Sequence, residues 1–155
     1  MFLAGERKEL REQKVRSYLH SDPGISLLLA AVNFEWTVCR AVLFLSKTPN
    51  SKLRILMRDY FSPDKYKDLW KLEVIAARSC EPLAIVVRNW SSVRKAFEAR
   101  NRLVHARDRF TKNMATSHVE ALVNGANYVD DYYESLGRPL FGRMPIRRKQ
   151  ASIPL

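Results

Sequence analysis

A chain of 155 residues with a formal net charge of +11 is long enough for one domain with a single core. Its charge points to a polyanionic partner, because a basic surface releases the counterions of a phosphate backbone. Only five glycines, set against many Leu, Ala, Arg, Lys and Glu residues, argue against a sheet. Cys39 and Cys80, far apart in apolar surroundings, argue against a disulfide framework and are expected as buried reduced thiols. His20, His105 and His118 do not complete a zinc spacing with them, so neither a metal nor another cofactor is expected.

Residues 6–20 alternate acid and base with Leu10 and Val15 as sparse apolar positions, which predicts a solvated helix packed loosely on the body or on a neighbouring subunit. Ser21-Asp22-Pro23-Gly24 reads as a break and restart, with Asp22 as N-cap and Pro23 in the first turn. About 23 apolar residues follow as a helix, with Leu29, Val32, Trp36, Cys39 and Leu43 expected on its core stripe. Asn33, Glu35 and Arg40 interrupt the run at residues 25–45, so it reads as a core helix rather than a membrane span. With charge following at once after residues 1–5, no signal peptide is read, and a cytoplasmic chain is expected.

Thr48-Pro49-Asn50-Ser51 breaks the long helix, and a shorter one is expected to about Tyr60. Ser62-Pro63-Asp64 caps another, with Tyr66, Leu69, Trp70, Glu73 and Ala77 on one face, ended by Cys80-Glu81-Pro82. The short β-branched run at residues 83–87 is not assigned to a sheet. A helix is predicted from Trp90 to about Arg109, on which Val93, Ala96, Phe97, Leu103 and Val104 recur at three- and four-residue spacing. A last helix is expected at about 114–136, ended by Gly137. In it, Tyr132 and Tyr133 suit core packing better than base stacking. The whole predicts an all-α, up-and-down helical bundle of about four to six helices. It divides into an N-terminal charged helix (1–22), a helical core (23–137) and a basic, proline-containing tail (138–155). That tail suits either a solvated segment or an arm that follows an RNA backbone or docks on a partner.

Chemistry concentrates in Arg100-Asn101-Arg102-Leu103-Val104-His105. Arg100 falls on the apolar stripe, where a guanidinium needs a partner. Asn101 and His105 lie four apart and share a face, with Asp108 a turn beyond. Arg100 stands about 140° round the helix from His105, so the two can flank a groove without touching. RNA cleavage needs a base for the 2′-hydroxyl proton and an acid for the leaving oxygen. It also needs a cation where charge builds on phosphate. Histidine supplies either proton role near neutrality, and arginine presents a fork to phosphate oxygens.

Arg100, Asn101 and His105, on the later half of a small helical chain, resemble the signature of the HEPN superfamily: Arg, four to six residues, then His, commonly with Asn after the Arg. The likeness extends over residues 25–137, with Asn33-Phe34-Glu35-Trp36 upstream and Tyr132-Tyr133-Glu134-Ser135-Leu136-Gly137 downstream. The resemblance implies a metal-independent ribonuclease working as a homodimer, with Arg100 and His105 of both copies around one cleft and RNA as substrate. It also implies a cognate antitoxin or other regulatory protein as a partner, as in toxin or defence systems. Inactive members imply the alternative of an RNA-binding or assembly module. One departure stands out: Arg107 occupies the position where a subgroup carries a modifiable tyrosine, and Phe110 offers no hydroxyl in its place.

Arg102, Arg107 and Arg109 are expected to contact the substrate backbone, though a charged face is also ordinary for a surface helix. For Arg100 the competing role is an ion pair with Glu35 or Asp108. Glu35 and Asp108 are the candidates for orienting the site, the alternative for Glu35 being a core ion pair with Arg40 or Arg100. His20 and His118 carry no supporting pattern. A third reading is a helical adaptor whose basic tail binds an acidic protein or a membrane surface; no membrane partner is expected on the leading reading.

Overall fold

A computed structural model describes residues 6–105, 110–137 and 140. It is an all-α bundle: α1 (Lys8–Ser17), α2 (Pro23–Leu45), α3 (Asn50–Leu56), a 3-10 turn (Met57–Asp59), α4 (Pro63–Trp70), α5 (Ala76–Arg78), α6 (Leu83–Val86), α7 (Trp90–Val104) and α8 (Lys112–Ser135). A π-helical turn, Lys71–Ile75, joins α4 to α5. The expected breaks hold. Asp22 caps α2 by accepting from the Ile25 amide at 3.0 Å, and Ser62 caps α4 by accepting from the Lys65 amide at 3.4 Å. Gly137 follows α8 with φ +96°, a left-handed conformation that a side chain would resist. Residues 83–86 form a single helical turn, not a strand, between Pro82 and the left-handed Arg88.

α2 and α8 make the most extensive contact in the bundle, with α7 packed against both. Gly125 permits this approach. A Cβ there would stand 3.0 Å from the Phe34 ring and 3.2 Å from a Val93 methyl. Phe34 then meets Phe97 edge-on at 5.8 Å between ring centroids, tying α2 to α7. Among the described residues, α2 is the one helix long and apolar enough to cross a membrane, yet 61% of its most apolar window is buried within the bundle.

Three expectations need correction. First, α1 is not loosely packed. Val15 is fully buried and its carbonyl accepts from the Ser26 hydroxyl at 2.8 Å. Arg11 is 2% exposed, donating to Asn33 Oδ1 and to the Glu6 carbonyl, both at 2.8 Å, with its guanidinium 4.4 Å from the Trp36 ring centre. Arg16 reaches Glu120 on α8, and Lys8 pairs with Asp131. The helix looked solvated because its binding is done by long charged side chains, whose stems pack while their heads bond.

Second, the expected core stripe of α2 is only partly right: Leu43 is buried, and Leu29 and Cys39 pack against the core, but the main buried face lies elsewhere. Leu27, Phe34, Val38, Ala41 and Leu45 are the buried face, whereas Val32 is 43% exposed and Trp36 and Cys39 are half-buried. Third, α7 ends at Val104 rather than near Arg109. Leu103 still packs, its methyl carbons 3.3–3.4 Å from where a Gly24 Cβ would stand, whereas Val104 is 57% exposed and His105 is the exposed C-cap.

Candidate functional site

α7 and the middle of α2 bring the first part of the motif together. Arg100 Nη2 lies 3.3 Å from Glu35 Oε1, while Arg100 Nη1 donates to Asn101 Oδ1 at 2.9 Å. The two charged side chains are 27% and 22% exposed. Arg100 is thus placed on the apolar side of α7 because Glu35 answers its charge, and its guanidinium also lies 5.8 Å from the Phe97 ring centre. Of the two partners expected for Glu35, the structure supplies Arg100. Arg40 instead donates to the Leu140 carbonyl at 2.5 Å and stacks on Trp36 and Phe44.

A residue not singled out as a site residue completes this cluster. Tyr66, from α4 and 3% exposed, donates its hydroxyl proton to the Glu35 carboxylate. Burial pushes the Glu35 carboxyl above its ordinary pKa, with the Arg100 charge and the Tyr66 hydrogen bond pulling it partly back. Burial, and then the Glu35 charge, drive the Tyr66 hydroxyl well above its usual range. The same two causes push the neighbouring Cys39 thiol up to about 12, so Cys39 stays a thiol at neutral pH and is no nucleophile. Glu35, Cys39 and Tyr66 open onto a groove of about 570 Å³ that Val32, Trp36, Tyr60, Arg54 and Arg58 also line.

His105 is the C-cap of α7, its amide donating to the Asn101 carbonyl at 3.1 Å and its side chain exposed. Arg100 turns inward to α2 while His105 stands in solvent, and none of the three described concavities is lined by Arg100, Asn101, Arg102 or His105. Arg102 is exposed beside His118 of α8. Partial burial, and then the Arg102 charge, lower the His118 pKa, so that imidazole is neutral at physiological pH. Arg107, Asp108 and Arg109 lie outside the described residues.

Two further features bear on chemistry. Cys39 and Cys80 are both free thiols, and among the described residues no group of three His, Cys, Asp or Glu side chains is placed to hold a metal ion. Asp130 of α8 is 1% exposed, and neither carboxylate oxygen accepts a hydrogen bond among the described residues. Burial raises its pKa to about 6, against the pull of Arg11 and Lys8. Tyr132 and Tyr133 are packing residues: Tyr133 meets Phe44 edge-on at 5.3 Å, and Tyr132 leans on Trp70 at 6.5 Å.

No protein-family model, curated protein or solved structure matches this chain.

Proposed function

We propose that the chain is a HEPN-type endoribonuclease that works as a homodimer without a metal. One observation carries this reading: Glu35 and Asn101 anchor Arg100 at the end of α7, whose C-cap is the exposed His105. A cation held in place and a proton carrier free to meet substrate are the two things that phosphodiester transfer requires of side chains. The net charge of +11 suits an RNA backbone.

In this scheme two copies place two His105 side chains on one phosphate. One takes the proton of the 2′-hydroxyl as its oxygen attacks the adjacent phosphorus. The other gives a proton to the 5′-oxygen as the P–O5′ bond breaks. The products are a 2′,3′-cyclic phosphate and a 5′-hydroxyl. Arg100 donates to the phosphate oxygens as negative charge builds, with Asn101 orienting it. Arg102, together with Arg107 and Arg109, tracks the flanking backbone, and a regulatory protein such as an antitoxin holds the activity in check.

The test is incubation with total RNA in EDTA, beside Arg100→Ala and His105→Ala. Because the His105 side chain is exposed, its loss should leave folding intact while cutting cleavage by about 10²- to 10⁴-fold. Full activity in His105→Ala would sink the assignment.

A second reading rests on a different observation: Arg100 already donates to Glu35 and Asn101, and no described concavity contains it. On that reading the motif serves packing, and the chain is a non-catalytic RNA-binding or assembly module. It predicts salt-sensitive RNA binding with no turnover in any variant.

A further inference from the structure

α2 is apolar on two opposite sides. Leu27, Phe34, Val38, Ala41 and Leu45 form the side buried in the bundle. On the other side stand Ile25, Leu29, Val32, Trp36, Cys39 and Leu43, spaced alternately by four and three residues. That alternation is the heptad rhythm of a helix that receives another helix. At 100° per residue the six positions fall within about 40° of one line along α2, opposite the core stripe. The line runs about 27 Å at 1.5 Å per residue.

This second stripe is only partly covered. Leu43 is 7% exposed and belongs to the core, Leu29, Trp36 and Cys39 are half-buried, and Ile25 and Val32 are 39% and 43% exposed. Its later part forms one wall of the groove of about 570 Å³, and Met57, Tyr60 and Tyr66 form the opposite side. Ile55 and Phe61, 63% and 71% exposed, flank the same segment of chain. Exposed apolar side chains gathered around one groove mark a binding site more often than single ones scattered on a surface.

We propose that the groove between α2 and the α3–α4 segment docks an amphipathic α-helix of another protein. That helix is apolar at heptad positions and acidic along one flank. Charge selects the occupant. Arg54 and Arg58, one helical turn apart, line the groove, whereas its one lining acid, Glu35, is answered by Arg100 and Tyr66. A second copy set symmetrically on this groove would bring its own Arg54 and Arg58 toward the same pair. An acidic flank meets them with opposite charge. The proposal does not depend on RNA cleavage and is tested without RNA.

The full chain is titrated with a dye-labelled synthetic peptide of four heptads, with Leu at both apolar positions and Glu at the flanking ones. A second peptide carries Lys for Glu, and a third keeps Glu but replaces every Leu with Gln. Binding is read by fluorescence anisotropy at 0.15 M salt. The expected result is that the Leu/Glu peptide binds at least tenfold tighter than either control. Val32→Asp, at a position already open to solvent, should weaken it tenfold or more with an unchanged melting temperature. Arg54→Glu combined with Arg58→Glu should invert the preference between the Glu and Lys peptides. Equal binding of the Leu/Glu and Gln/Glu peptides would overturn the proposal, since charge alone would then explain it. So would Val32→Asp leaving peptide binding intact. Sedimentation showing a dimer that Val32→Asp abolishes would assign the groove to a second copy instead. Binding to neutral phospholipid vesicles lost in the same variant would assign it to a lipid surface.

Discussion

Arg100 and Arg11 both lie beside carboxylates inside this bundle, yet their surroundings differ. Arg100 faces Glu35 at 3.3 Å, with a tyrosine hydroxyl completing the carboxylate, and the cluster opens to a groove. Arg11 is 2% exposed and bonds Asn33 and the Glu6 carbonyl, while nearby Asp130 accepts no hydrogen bond among the described residues. Burial brings Arg11 down to about 10 and takes Asp130 up to about 6. The outer pair is matched atom to atom and remains within reach of solvent. In the inner pair Asp130 is drawn to Arg11 by charge without accepting a hydrogen bond among the described residues, and the bond of Arg11 to Asn33 fastens α1 to α2. A buried charge is weak evidence of stabilisation by itself, but its partner becomes costly to remove.

That contrast can be broken most forcefully at Arg11. Arg11→Ala should lower stability by about 3–5 kcal/mol, because it strands Asp130 in the core; urea unfolding midpoints give the value. A loss comparable to that of a surface substitution would erase the distinction. The outer pair should respond less. A double-mutant cycle over Arg100→Ala and Glu35→Ala should return a coupling of about 1 kcal/mol, reduced by partial solvent screening. The smallest expected effect is on pH dependence. Asp130 titrates at about 6 in the fold, above the roughly 3.9 of an unfolded aspartate, so the folded chain holds a proton that the unfolded chain has released. Its contribution to stability is complete below about pH 4 and is lost as the pH rises through about 6. Asp130→Asn should therefore flatten the difference between denaturation midpoints taken at pH 4.5 and pH 7.

Where a local signal decided the structure, the sequence was readable. Asp22, Ser62 and Gly137 act through backbone geometry within three residues, and each stands where its chemistry placed it. Arg100 on an apolar stripe called for an acid, and Glu35 was among the candidates. Periodicity failed on α2 because the helix has two apolar faces, and a period cannot say which one turns inward. The buried one carries small and polar residues, Ala30, Ala41, Ser26 and Thr37, that a hydropathy pattern undervalues. Tyr66 and the Arg11–Asp130 neighbourhood were illegible for another reason. They join residues over 30 and over 100 positions apart, and nothing local in either segment points to the other.

The π-helical turn at Lys71–Ile75 lets the Glu73 carboxylate accept from the Ser46 hydroxyl at 2.6 Å, and that hydroxyl accepts from the Thr48 amide at 2.9 Å. Such a turn holds one residue more than the α-helix on either side of it. The run from Pro63 to Arg78 therefore has a natural place to lose a residue: a single deletion there would restore unbroken α-helical geometry. Because the widened turn already absorbs the extra residue, the helix beyond the deletion would stay in register, and Arg78 would keep its reach to the Leu45 carbonyl, now 2.7 Å. Length variation in this helix is thus cheap for its backbone, and its cost falls on the Glu73–Ser46 bond at the end of α2.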